Sequence, residues 1–173
     1  HPTLLGHIDD GLEWPVFIRG KVYQQVFPEQ CVAKVEPSPQ SLLAYGFPQA
    51  IIDAWLAQFS HFNQLQLDAI NEFGLFQGNN LLICAPTASG KTLIGELTAI
   101  NYALHRKKGV FLFPLKALVN DKLNHFRNTY GEFGIKTIKA TGESTSDDIL
   151  PLMRGQYDIC LMTYEKFSAL SIA

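Results

Sequence analysis

The chain has few cysteines and no long apolar run, and each shortage excludes a class of protein. Its three cysteines, Cys31, Cys84 and Cys160, lie far apart and fit no metal-ligand spacing. We therefore interpret them as reduced thiols of an intracellular protein. No apolar run approaches the ~18 residues of a membrane span, and the first residues lack the charged start and apolar stretch of a signal peptide. We expect no membrane partner and a cytoplasmic location, or a nuclear one if the source is eukaryotic.

An excess of positive charge is also missing. Fourteen Lys and Arg residues face 16 Asp and Glu residues, for a formal net charge of −2. Any surface that binds nucleic acid must therefore be local, built from a few basic side chains and backbone amides. The 173 residues are 47% hydrophobic and 17% charged, which is the balance of a globular chain with room for one domain and a small appendage.

Residues 1–40 differ in pattern from the rest. The runs "WPVFIRGKVYQQVF" and "CVAKVEP" are short and alternating, and Gly and Pro interrupt them. This pattern predicts a small β-rich N-terminal appendage over residues 1–40, with a loop at "EPSPQS". Two helical patterns follow, "PQAIIDAWLAQF" and "QLQLDAINEFGLF", each with its apolar residues on one face.

From Asn80 onward, strand-like and helical patterns alternate. The predicted strands are "NLLICA", "GVFLFP", "IKTIKAT" and "YDICLMT". Helical patterns lie between them, over Leu93 to His105, over Ala117 to Tyr130, and near "DDILPLM". The nearly continuous apolar character of most of these strands is typical of parallel strands that are covered on both faces. Residues 41–173 are therefore predicted to form an α/β domain with a parallel sheet flanked by helices.

The stretch from Ala85 to Thr92, "APTASGKT", is the clearest chemical motif. It differs from the phosphate-loop pattern G-x-x-x-x-G-K-[ST] only at Ala85, where the pattern has Gly. Its backbone N–H groups can form an anion nest at a helix N-terminus. Gly90 allows close approach of the backbone, Lys91 would reach the β- and γ-phosphates, and the Thr92 hydroxyl would bind Mg²⁺.

Further polar groups gain meaning from that loop. The amide of Gln66, one helix upstream, can offer a donor and an acceptor to an adenine edge. Pro114 ends the second predicted strand and is followed by Lys116, Asn120 and Lys122, a set that suits a phosphodiester backbone. Thr141 with Gly142, and Thr163, follow the next two strands. Each group alone is more often a surface, turn or capping feature, Thr163 in particular being a possible helix cap.

Taken together and in this order, the motifs resemble superfamily 2 helicases of the DExH-box class. The likeness runs from about Leu42 to Ala173 and is nearest to the branch of archaeal repair helicases and of exosome and spliceosome RNA helicases. "APTASGKT" resembles that branch's Walker A, Ala-Pro included, "FNQLQLDA" its Q motif, "PLKALVNDK" its motif Ia, "TG" its motif Ib, and "TYEKF" the segment after it. The resemblance implies ATP contacts at Gln66, Pro86, Thr87, Ala88, Ser89, Gly90, Lys91 and Thr92. It implies nucleic-acid contacts at Pro114, Lys116, Asn120, Thr141, Gly142, Thr163 and Glu165.

The resemblance further implies a RecA-like domain that binds ATP·Mg²⁺ and a single strand of nucleic acid. A second RecA-like domain would close on the nucleotide, and the strand would move in 3′ to 5′ steps. The family's DExH carboxylates do not occur in this sequence, whose only Asp-Asp pairs are Asp9-Asp10 and Asp147-Asp148. We therefore expect weak nucleotide binding by this chain but no turnover and no unwinding by it alone.

Three alternatives remain open. Within the same branch, a DNA substrate is favoured over RNA because "PLKAL" and "TYEKF" resemble the repair members, and an RNA helicase is the alternative. A noncatalytic nucleic-acid-binding module would keep the fold without turnover. A P-loop kinase or other NTPase leaves unexplained the polar residues that follow successive strands.

Overall fold

The computed structural model describes residues 34–172, and the predicted strands "WPVFIRGKVYQQVF" lie outside them. The described part opens with a 3-10 helix over Pro39–Tyr45, where the sequence predicts the loop "EPSPQS". That prediction is wrong at its C-terminal half, because Ser38 accepts a hydrogen bond from the Gln40 backbone N–H and so caps the helix. Gly46 ends it in the left-handed region, at φ 80°.

Two short helices precede the phosphate loop. Helix α1 spans Gln49–Leu56 and α2 spans Gln64–Asn71. Helix α2 is shorter than its apolar pattern predicts, because Gly74 lies in the left-handed region (φ 66°) and a separate 3-10 turn follows at Leu75–Gln77.

Three parallel strands form the sheet. They are β1 (Gly109–Phe113), β2 (Thr137–Ala140) and β3 (Ile159–Thr163), in the order β1-β3-β2. Gly109 of β1 and Thr137 of β2 both pair with Ile159 of β3. Every residue of the central strand β3 is buried, as expected for a parallel strand that is covered on both faces.

Four further helices complete the fold. They are α3 (Lys91–Leu104), α4 (Lys116–Tyr130), α5 (Ser146–Met153) and α6 (Tyr164–Ile172), with a 3-10 turn at Gly131–Phe133 between α4 and β2. The helices therefore alternate with the strands as predicted, and α4 and α5 lie in the two crossovers between parallel strands. None of the helices in residues 34–172 is both long and apolar enough to cross a membrane.

The predicted strand "NLLICA" is the main error in the sequence-based fold. Residues 81–86 have no regular secondary structure, and Leu82 is 92% exposed. A strand needs a neighbour for its backbone groups, and a cleft of about 380 Å³ is lined both by Leu81 and Ile83 and by β1 residues from Gly109 to Phe111. Within residues 34–172, β1 is an edge strand, so the extended segment before the loop has no partner there.

The core lies between the sheet and the helices α1, α3 and α4. Its largest fully buried side chains include Trp55 of α1 and Tyr130 of α4. Val35 joins the same core, and its backbone exchanges two hydrogen bonds with the Asn71 amide, at 2.8 and 2.9 Å. This residue, inside the predicted appendage of residues 1–40, thus packs with the domain that follows.

Candidate nucleotide and nucleic-acid sites

The phosphate loop turns sharply before helix α3. Ala88 has φ 62° and Gly90 has φ 83°, so two of its residues lie in the left-handed region. For a non-glycine residue such as Ala88 this conformation costs roughly 1 kcal/mol. No side chain among residues 34–172 caps α3, whose N-cap is Gly90. The Leu93 N–H donates to the Gly90 carbonyl at 3.1 Å, which leaves the N–H groups of Lys91 and Thr92 pointing out of the helix toward the loop.

Lys91 is folded back into the loop that precedes it. Its ammonium group donates hydrogen bonds to the carbonyl oxygens of Ala85 and Pro86, and lies 3.3 Å from the Ser89 hydroxyl. Thr92, the next residue, is exposed. A phosphate entering the loop would offer the ammonium charged acceptors in place of these neutral carbonyls, and hydrogen bonds between charged groups are the stronger kind.

Gln66 is buried, with 5% of its surface exposed, and ties α2 to the loop. Its Oε1 accepts from the Asn63 N–H at 2.9 Å, and its Nε2 donates to the Gly90 carbonyl at 3.2 Å. The Asn63 amide donates in parallel to the Ser89 carbonyl at 2.9 Å. An amide side chain has two donors and two acceptor sites, so Gln66 keeps one of each for a ligand.

This contact also accounts for the glycine at position 90. A Cβ there would lie 2.4 Å from Gln66 Nε2 and 2.9 Å from Asn63 Nδ2, distances at which the two amides would be displaced. Asn63 is a site residue that the sequence analysis missed. The signal was present in the Asn-x-x-Gln spacing of a capping box, which Asn63 and Gln66 form at the start of α2.

A different cleft, of about 390 Å³, opens beside the loop, and we call it the first cleft. Gln66, Gly90 and Thr92 line one side of it, and Lys122 and His125 of α4 lie on another. The sequence analysis grouped Lys122 with the nucleic-acid residues, but its side chain reaches this first cleft instead. Leu93 and Glu96 of α3 also line it, and the segment before α2 adds aromatic and polar side chains: Gln58, Phe59, His61 and Asn63.

A second cleft, of about 260 Å³, lies beyond the ends of β1 and β2. Lys116 and Asn120 of α4 line it together with Lys139 and Thr141, so two residues of the predicted motif Ia lie beside Thr141 of the predicted motif Ib. The parallel strands explain this, because their carboxyl ends meet at one edge of the sheet. Lys139 donates to the Asn120 amide oxygen at 3.0 Å. Thr141 is buried, while the adjacent Gly142 is exposed.

Carboxylates also line the second cleft. Glu143 forms an ion pair with Lys116, and the hydrogen bond and charge of that lysine lower the pKa of the Glu143 carboxyl. Asp148 accepts from the Thr145 N–H at 2.9 Å and so caps α5, which lowers its pKa as well. Glu143 thus pairs with the lysine that the sequence analysis assigns to nucleic acid.

The remaining predicted residues lie at the same sheet edge but outside both clefts. Pro114 is exposed and directly follows β1. Thr163 is buried at the end of β3, and its hydroxyl accepts from the Lys166 N–H at 3.4 Å, so it caps α6. Glu165 is exposed in the first turn of α6.

Metal ligands are sparse in the part of the chain that the structure describes. No group of three or more His, Cys, Asp or Glu side chains is placed there to hold a metal ion. Thr92, to which the sequence analysis assigns Mg²⁺, is exposed at the start of α3.

Comparison with known proteins gives one family. A profile of the DEAD/DEAH box helicase family matches residues 63–172, a range that contains both clefts except for part of the lining before α2. The chain is 46% identical over 98 residues to ATP-dependent DNA helicase Hel308 of Caldivirga maquilingensis, and 45% identical over 98 residues to that of Pyrococcus horikoshii. Each match covers 56% of this chain, but only 12% and 13% of those longer relatives.

Solved structures support the same fold. A hypothetical ATP-dependent RNA helicase from Sulfolobus tokodaii matches 72% of this chain and 36% of its own, with a TM-score of 0.57 and 24% identity. The DNA-bound DUF1998 helicase MrfA matches 76% of this chain and 18% of its own, with a TM-score of 0.60 and 24% identity. The parallel sheet and its helices are thus part of a RecA-like helicase domain.

Proposed function

The chain belongs to the DEAD/DEAH box helicase family, and we propose that it forms the ATP-binding part of an ATP-dependent helicase that moves along single-stranded DNA. The observation that carries the proposal is the contact between Gln66 and Gly90. It brings an amide with a free donor and acceptor against a phosphate loop, which is the arrangement needed to read a base and hold its phosphates together.

ATP would bind with its adenine at Gln66 and its phosphates over the loop from Pro86 to Gly90. Lys91 would leave the loop carbonyls for the β- and γ-phosphates, and the Thr92 hydroxyl would hold Mg²⁺. Bound Mg²⁺ supplies neutralisation of the phosphate charge that develops during hydrolysis. The exposure of Thr92 and the open first turn of α3 support this assignment.

Single-stranded DNA would lie at the second cleft and along the strand ends. Lys116, Asn120 and the exposed backbone at Gly142 suit contacts to phosphates, which carry no sequence information. Pro114, Thr163 and Glu165 would contact the strand farther along the same sheet edge. Because such binding releases counterions, its affinity should fall steeply with salt.

The choice of DNA rests on the relatives named ATP-dependent DNA helicases, at 46% and 45% identity. We further propose 3′ to 5′ movement, a second RecA-like domain that closes on the nucleotide, and a location in the cytoplasm, or in the nucleus if the source is eukaryotic. An RNA helicase of the same branch is the second candidate, which the likeness of the motifs to that branch keeps open.

For residues 1–173 alone we propose nucleotide binding without turnover. Hydrolysis needs an acidic pair beside the Mg²⁺ to orient the attacking water. Asp148 instead caps α5 and lines the second cleft, so it is engaged away from the phosphate loop. ATP turnover by this chain that Lys91→Ala abolishes would contradict the proposal.

The decisive experiment uses the full-length protein that contains this sequence. ATPase activity is measured without nucleic acid, with single-stranded DNA and with single-stranded RNA, and unwinding is measured on duplexes with 3′ or 5′ tails. We expect ATPase stimulated by DNA and unwinding of 3′-tailed DNA. Lys91→Ala should abolish both, whereas Lys136→Ala, at an exposed lysine before β2, should change neither.

Each other result points to a different function. Stimulation and unwinding with RNA alone would favour the RNA helicase. Nucleic-acid binding without any ATPase would favour a noncatalytic module, and ATPase that no nucleic acid stimulates would favour an NTPase of another kind.

A further inference from the structure

A cluster of polar side chains, three of them buried and two half-buried, lies between the phosphate-loop helix α3 and helices α1 and α4. We call it the Glu96 cluster, and it consists of Trp55, Glu96, Lys122, His125 and Tyr130. Glu96 of α3 accepts hydrogen bonds from the Tyr130 hydroxyl and, at 2.9 Å, from His125 Nε2. The Tyr130 hydroxyl in turn accepts from Trp55 Nε1 at 2.7 Å. A single carboxylate thereby joins three helices.

Burial of the Glu96 carboxylate costs free energy, so stability alone does not explain this arrangement. Glu96 is 4% exposed, and Trp55 and Tyr130 are fully buried. Burial, together with the Glu96 charge, raises the pKa of the Tyr130 hydroxyl, so that it remains a donor to the carboxylate. Apolar side chains of similar volume often stabilise a buried site as well as an ionic group does. The Glu96 cluster therefore calls for a role in addition to packing.

The position of the cluster suggests what that role is. Glu96 lies one helical turn after Thr92, on the same face of α3. Helix α4, which supplies Lys122, His125 and Tyr130, begins at Lys116 in the second cleft. The Glu96 cluster thus links the helix that follows the phosphate loop to the helix that carries the nucleic-acid residues.

Lys122 lies between the Glu96 carboxylate and the first cleft. Its ammonium lies 3.9 Å from Glu96 Oε2, beyond a direct hydrogen bond, and its side chain also lines the first cleft. A phosphate entering that cleft would compete with Glu96 for Lys122. A ligand in the first cleft and the Glu96 carboxylate of α3 would thus act on the same residue of α4, the helix that begins in the second cleft.

We propose that Glu96 is a positioning residue that couples nucleotide binding at the phosphate loop to nucleic-acid binding at the second cleft. The inference rests on the proposed function, because it needs both ligands to bind the same molecule. Coupling of this kind is reciprocal, so each ligand must change the affinity for the other by the same factor.

The test measures that factor in the full-length protein. The dissociation constant of a fluorescent single-stranded oligo-dT is determined with and without saturating AMP-PNP and Mg²⁺, and the ratio of the two constants is the coupling factor. We expect the wild-type protein to show coupling of about fivefold or more, within the usual range for linked sites, and Glu96→Gln to bring the factor close to one. The matched control is Glu132→Gln, an exposed carboxylate just after α4, which should keep the wild-type factor.

Thermal unfolding of each variant separates coupling from a loss of folding. If Glu96 had a merely structural role, Glu96→Gln would lower the affinities for both ligands and leave the coupling factor unchanged. His125→Phe keeps an aromatic ring but removes the donor to Glu96, so it should reduce the coupling factor even if Glu96→Gln does not fold.

Three outcomes would overturn the inference. The first is that both variants keep the wild-type coupling factor. The second is a wild-type protein that unwinds DNA and binds both ligands without coupling, which would leave the proposed function intact. The third is a wild-type protein that binds neither AMP-PNP nor DNA, which would refute the proposed function as well.

Discussion

The double use of Gln66 leads to a prediction that separates nucleotide binding from helix capping. Its Oε1 caps α2 through the Asn63 N–H, whereas its Nε2 donates to Gly90 and keeps one N–H for a base. Gln66→Glu retains the capping acceptor and removes both donors. Gln66→Ala removes the capping acceptor as well as both donors. The two variants therefore lose different parts of the same site.

The expected magnitudes follow from those contacts. Loss of the cap and of the bond to Gly90 should make Gln66→Ala less stable by about 2 kcal/mol. Gln66→Glu keeps the cap but should also lose about 1–3 kcal/mol, because it loses the bond to Gly90 and places a buried carboxylate oxygen against that carbonyl. Facing an adenine acceptor with a carboxylate costs roughly 1–3 kcal/mol, so this variant should bind ATP about fivefold to 100-fold more weakly.

The assay combines urea denaturation with titration of a fluorescent ATP analogue. Gln156→Glu is the matched control, since it adds the same charge at an exposed position. Gln156 precedes β3, whereas the candidate site residues lie at the carboxyl ends of the strands. It should bind ATP as wild type does. If Gln66→Glu binds ATP with wild-type affinity, Gln66 is a helix cap and does not read the base.

Other parts of the molecule give three further predictions. Tyr130→Phe should lower the free energy of unfolding by about 2–4 kcal/mol, measured by urea denaturation, because it leaves buried donor and acceptor groups unpaired; a change below about 0.5 kcal/mol would contradict the described contacts. Glu143→Gln should tighten DNA binding at low salt by freeing Lys116, and equal affinities for the two proteins would refute that competition; the difference should vanish at high salt. Peptide mapping after treatment with iodoacetamide near pH 8 should find Cys84 modified and Cys160 unmodified, because Cys84 is exposed while burial raises the pKa of the Cys160 thiol to about 12; modification of native Cys160 would be the contrary result.

Local patterns were enough to predict much of the fold. The strands β1, β2 and β3 and the helices between them follow from residue order alone, β1 and β3 from nearly continuous apolar runs of the kind that parallel strands have. The conformation of "NLLICA" could not be predicted in this way. A strand depends on a neighbour for its hydrogen bonds, and the run of apolar residues carries no information on whether one is there.

The sequence by itself determined the phosphate loop, the glutamine upstream of it, and the family to which the chain belongs, because these depend on residue types at short spacings. Tertiary structure decided which groups meet. In the folded chain the Gln66 amide contacts Gly90, Lys116 and Thr141 line one cleft, and Lys122 lies near Glu96 outside that cleft. The reason is physical: such contacts join residues far apart in the chain, and only the packing of helices on the sheet sets their distances.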